Sequence, residues 1–220
     1  MMYVVPLQEL QALARAVALD GRVVVRPGVP GAGWFWRPRE GVVDADPLDL
    51  RLGPPDLVRG LVCHEAAHAA VTRYLTLVPR EIRRDESLNA LFNALEDCRV
   101  EAWLQDRFPG TMGWMKLYNE RLFPADAERW CNENPAYQYC LGAVHDWWHR
   151  SPPRGLHPAA RHALETTVDA RRSYVAAQPP AGLGAAPDRE RHVVQAAREA
   201  YEVAMVSILP VYRELVGVSA

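Results

Sequence analysis

Apolar residues recur at helical spacing through LQELQALARAVA, residues 7–18, and the pattern stops at Asp20-Gly21. The period then changes. RVVV (22–25), GWFWRP (33–38) and GVVDAD (41–46) are β-branched or aromatic runs separated by Gly and Pro, which predicts a small antiparallel sheet. Gly53-Pro54-Pro55 ends it, and Asp56 stands in the first turn of a helix that the pattern carries to about Val78, before Pro79. Between Leu57 and Val78 the charged side chains are Arg59, Arg73 and those of one short cluster, so this helix reads as enclosed by protein on most sides. A second long helix opens near Asp85–Ser87 and runs to Pro109-Gly110, with a core stripe of Leu88, Leu91, Phe92, Leu95, Ala102 and Trp103. At about 100° per residue, a neighbouring face holds Asn89, Asn93, Glu96, Val100 and Leu104, while Asp97 and Glu101 fall further round, toward solvent.

Downstream, 112–123, 125–133 and 136–150 read as shorter helices rich in Trp and Tyr, followed by a helix over 158–177. QPPAGLGAAP, 178–187, carries no charge and reads as a flexible linker or long loop before a last helix from Asp188 to about 216, which Pro210 is placed to kink. The expected fold is α+β and mainly helical, with the small N-terminal sheet packed on the buried helix and on the acidic one. Residues 1–177 form one domain in this reading, and 188–220 a C-terminal helix packed on it.

Composition narrows the function classes. In 220 residues, 49% hydrophobic and 24% charged side chains describe a globular chain, and a net charge of -2 gives no electrostatic case for nucleic acid. No stretch approaches the length of a membrane span. Pro6, Gln8, Glu9 and Gln11 interrupt the apolar start that a secretory signal needs, and Cys63, Cys98, Cys131 and Cys140 show no paired short spacing; the expectation is a cytoplasmic protein with reduced thiols.

The short cluster is HEAAH, His64-Glu65-Ala66-Ala67-His68, a match to H-E-x-x-H. Histidines at i and i+4 share a helix face and can bind one Zn²⁺, and the glutamate beside the first can accept a proton from metal-bound water. Three buried ionisable groups with neither metal nor partner would be costly, which favours an ion over a chance pentamer. A catalytic zinc site uses a third protein ligand. Tyr74 stands where a metzincin would place its third histidine, so an acid is favoured, and the nearest acidic helix is NALEDCRVE, 93–101. Glu96 lies nearest the apolar stripe on the helical projection, with Asp97 and Glu101 as a shifted i, i+4 pair of acids; Asn93 could hydrogen-bond the ligand carboxylate, and Arg99, projecting into the stripe, needs an acid partner.

HEAAH followed by this acidic helix resembles the gluzincin class of zinc metallopeptidases, the thermolysin-like group, over residues 57–108. NALEDCRVE is also similar to metallopeptidase domains that accompany von Willebrand factor A domains in some bacterial proteins. The resemblance implies a zincin-like fold, an intracellular bacterial zinc peptidase and a glutamate from the second helix as third ligand. In gluzincins that glutamate often follows an asparagine and precedes an aspartate by four residues, whereas Glu96 is followed four later by Val100.

The function expected is therefore hydrolysis of a peptide or protein substrate, with His64, His68 and Glu96 on the ion and Glu65 as base. A non-catalytic zinc-stabilised module that binds a protein partner is the alternative. HDWWH, 145–149, repeats the i, i+4 histidine spacing with Asp146 in the glutamate's place: His145 and His149 are candidates for a second metal site, for packing among aromatics, or, with Tyr118, Tyr137 or Tyr139, for stabilising an oxyanion.

Overall fold

The structure, a computed structural model, describes residues 3–122, 130, 132–182 and 186–219. Helix α1 (Leu7–Ala18) buries Leu10, Ala14, Val17 and Ala18 on one stripe. Strands β1 (Val24–Pro27), β2 (Phe35–Arg37) and β3 (Val42–Ala45) follow. Short helices α2 (Pro47–Leu52), α4 (Tyr74–Leu77) and α5 (Arg80–Arg84) flank α3 (Pro55–Val71), and α6 (Glu86–Arg107) leads to α7 (Met112–Leu122). The remainder is α8 (Pro135–His149), α9 (Pro158–Thr166), α10 (Val168–Ala176), α11 (Ala186–Val203) and α12 (Leu209–Ser219). This is the mainly helical α+β chain that the hydrophobic pattern predicts.

The sheet is mixed rather than antiparallel. Its order is β1-β3-β2: β3 pairs antiparallel with β2 (Trp36↔Val43) and parallel with β1 (Val25↔Val43). A short turn through Gly41 (φ 69°) sets β2 against β3, and the seven residues 28–34 carry the chain from β1 past β3 to the far edge. Asp46 holds that crossing in place, accepting from the backbone N–H of Gly31 and Gly33 (both 3.1 Å) and of Leu48 (2.8 Å), where it also caps α2. At the centre, Asp44 on β3 pairs with Arg26 of β1 and Arg37 of β2, so one buried carboxylate ties all three strands.

Two helices are shorter than their patterns. The helix expected to reach Val78 ends at Val71, where Thr72 turns extended (ψ 132°) and its hydroxyl lies 3.0 Å from His68 Nδ1. The helix expected over 158–177 breaks at buried Thr167, whose hydroxyl donates to the Ala163 carbonyl (2.7 Å) and meets the Tyr139 hydroxyl at 2.8 Å. The last helix carries a π turn at Ala204–Ile208, just before Pro210. Proline has no N–H for the carbonyl four residues back and its ring crowds that carbonyl, so the turn widens. The helix expected over 125–133 lies largely outside the described residues, as do 183–185 of the expected linker. Gln178, at the linker's start, donates to the carbonyls of Arg99 and Val175.

Contacts divide the chain into two compact units. The sheet unit comprises the residues up to Thr72 with Val100–Arg121; in it α3 packs on α1 and on β2 and β3. The helical unit comprises Arg73–Arg99 and the residues from Leu122 onward; in it α8 packs on α9 and α12, and α11 on α10 and α4. The boundary crosses α6 between Arg99 and Val100. Among the described residues no helix is long and apolar enough to cross a membrane.

Candidate metal centre

Helix α3 enters at Pro54-Pro55 and buries Leu57, Val58, Val62, Cys63, Ala66, Ala67 and Val71 around the motif. His64 is only 3% exposed. Its Nε2 lies 3.2 Å from Nε2 of His68, one turn on, with the rings at 73°. Two nitrogens each about 2.0–2.1 Å from a tetrahedral zinc ion are about 3.3–3.4 Å apart, so the pair already stands at the separation one ion requires.

The far nitrogens each face a polar group. His64 Nδ1 faces Glu101 Oε1 at 3.4 Å, longer than an ordinary hydrogen bond but a close approach for two groups that are 4% and 1% exposed. An ionised carboxylate only accepts, so it favours the proton on Nδ1 and the lone pair on Nε2. Thr72 Oγ1 occupies the same place on His68 Nδ1 at 3.0 Å. Burial pushes the thiol of Cys63, next to His64, up to about 12.

Glu65 points elsewhere. Its Oε2 accepts from the backbone N–H of Trp36 on β2 at 2.6 Å. Trp36 is the middle residue of an edge strand, and Glu65 takes an N–H that the ladder to β3 leaves unused.

Helix α7 completes the surroundings of His64. Gly60 allows its approach: a Cβ there would stand 2.8 Å from the Trp114 carbonyl oxygen. That contact sets Tyr118 with its ring centroid 5.2 Å from that of His64 and Asn119 with its side-chain N–H donating to Glu101 (3.3 Å) and to the Met115 carbonyl (3.0 Å). Glu101 is thus buried, not solvated as its position on the projection predicts, because α7 covers that face.

The other expected residues have different company. Glu96 is 2% exposed, and Arg99, fully buried, donates to both its oxygens (2.8 and 2.9 Å), with the Tyr174 hydroxyl donating to Oε1 at 2.6 Å. Arg99 thereby has the acid partner that its place in the stripe demands. Asn93 donates to Asp97 Oδ2 (3.1 Å). In the helical unit the His145 and His149 rings lie 4.2 Å apart; His145 Nδ1 is 3.0 Å from the Ser151 carbonyl, and Trp130 meets the ring edge-on. Burial lowers the His145 pKa. Asp146 pairs with Arg171, Tyr139 is buried against Thr167, and Tyr137 is 42% exposed.

Sequence reasoning missed Thr72, Asn119 and the Trp36 N–H. Thr72 sits at i+4 from His68, a spacing that could have signalled it; the other two depend on tertiary packing that no local pattern carries. No protein-family model, curated protein or solved structure matches this chain.

Proposed function

We propose that this chain is a zinc-dependent peptide hydrolase. The observation that carries the reading is the 3.2 Å convergence of the His64 and His68 Nε2 atoms, with Glu65 next in sequence. His64 and His68 would hold the ion, and a bound Zn²⁺ supplies a water of lowered pKa and polarises a carbonyl. Glu65 would take the water's proton and pass it to the leaving amine. Tyr118, whose ring stands beside that of His64, would be the residue to donate to an oxyanion.

For the third ligand an acid of α6 stays the expectation, Glu96 or, one residue on, Asp97. Glu96 has its oxygens engaged by Arg99 and Tyr174. Glu101 faces His64 Nδ1, and Asp97 stands one turn before it on the same face of α6, oriented by Asn93. Asp97 and Glu101 are, one residue later, a shifted version of the i, i+4 acidic pair that the resemblance implies.

Glu65→Gln tests the reading. The variant keeps its zinc by elemental analysis and loses about 10²–10⁴-fold in hydrolysis of an internally quenched peptide library. The bond from Trp36 favours a second reading, a zinc-stabilised interaction module in which Glu65 ties β2 to α3. There the parent carries zinc and cleaves nothing, and Glu65→Gln changes only stability.

A further inference from the structure

The helical unit holds a cavity of about 80 Å³ between α6, α8 and α10 that is independent of the metal-centre reading. Its floor is apolar, formed by Leu95, Ala143, Val168 and Val175. Its rim is cationic. Arg150, Arg171 and Arg172 line it against the single acid Asp146, an excess of two positive charges. Asp169 pairs with Arg172 at 3.5 Å but is 92% exposed and only screens it.

Arg171 is the unusual member. It is 8% exposed, and its Nη2 donates to Asp146 (2.9 Å) and to the Leu164 carbonyl (3.0 Å). Its buried Nε has no hydrogen-bond partner among the described residues. A guanidinium presents its N–H groups as a fork matched to a carboxylate, and buried donors are seldom left unmet. Across the rim Arg150 lies over the Trp147 ring, 4.6 Å from its centroid, which holds a second cation at the opening.

We infer that this cavity binds a carboxylate bearing a short apolar chain, the acid group between Arg171, Arg172 and Arg150 and the chain on the aliphatic floor. Size sets the class. The enclosed space of about 80 Å³ takes a short apolar chain with its acid group left at the rim, and is far too little for a nucleotide. A free short-chain acid and the C-terminal carboxylate of a peptide ending in a small residue share this chemistry.

Isothermal titration of the full chain with butyrate, butyramide, N-acetylalanine, its amide and inorganic phosphate tests the assignment. One or both carboxylates bind saturably, the amides do not, and phosphate binds more weakly than the better carboxylate. N-acetylalanine tighter than butyrate identifies a chain terminus, and the reverse a free acid. Arg150→Gln and Arg172→Gln, both at exposed positions, each weaken the better carboxylate by about 10-fold. Arg171→Lys, with folding checked by circular dichroism, keeps a cation for Asp146, removes the Nε donor and weakens it as well. The inference is overturned if neither carboxylate gives saturable heat, if an amide binds as well as its acid, if phosphate binds as tightly, or if Arg150→Gln and Arg172→Gln both bind like the parent.

Discussion

His64 Nδ1 faces the carboxylate of Glu101, an acid 37 positions further along the chain. If that carboxylate and Thr72 hold the two rings for an ion, Glu101→Gln and Thr72→Val each lower zinc affinity by about 10–100-fold in a chelator-dye competition, with zinc still bound at saturation. Unchanged affinity in both variants would show that the rings are held by α3 alone. Glu96 and Asp97 separate in a second experiment. Glu96→Ala leaves the fully buried Arg99 without its acid and costs about 3–5 kcal/mol in urea unfolding, while its zinc content stays that of the parent. Asp97→Ala, by contrast, is purified metal-free. The reverse pattern would return the third-ligand role to Glu96. His64, Glu65 and His68 were legible in the sequence because a helix fixes their relation within five residues. Glu101 was not: its helical phase points it away from the apolar stripe, and only the packing of α7 makes that side an interior.

Among the elements, α3 and α7 meet at one glycine. Replacing Gly60 by alanine puts a methyl group 2.8 Å from the Trp114 carbonyl, which must retreat; about 1–3 kcal/mol of stability is lost. Because Asn119 travels with α7, zinc affinity falls in the same variant. A Gly60→Ala protein with parental stability and affinity would remove α7 from the site's support. The element boundaries marked by proline and glycine agree with the sequence, as at α1, at the start of α3 and at the end of α6. The breaks at Thr72 and Thr167 do not announce themselves, since each threonine continues an acceptable helical pattern and stops it only through a hydroxyl that finds a tertiary or local partner. Strand order was likewise hidden: alternation identifies strands, but the insertion of β3 between β1 and β2 follows from the loop that Asp46 gathers in.

For the molecule as a whole, acid sensitivity has an identifiable contributor. Burial lowers the folded-state pKa of His145, so below about 6.5 the unfolded chain binds the proton more readily and stability falls as pH drops. The urea midpoint should decline between about pH 7.5 and 5.5, and the decline should be smaller in His145→Gln; an equal decline would assign the effect to other groups. The division into two units has a consequence in time. Neither unit is one continuous length of chain, since the chain changes unit after Thr72, after Arg99 and after Arg121. On the ribosome the sheet unit has all its parts only once Arg121 has emerged, and by then Arg73–Arg99 has been made without the later helices it belongs with. Each unit must wait for sequence that lies beyond a piece of the other, so no single cut divides the chain into its two units, and synthesis order does not separate their folding.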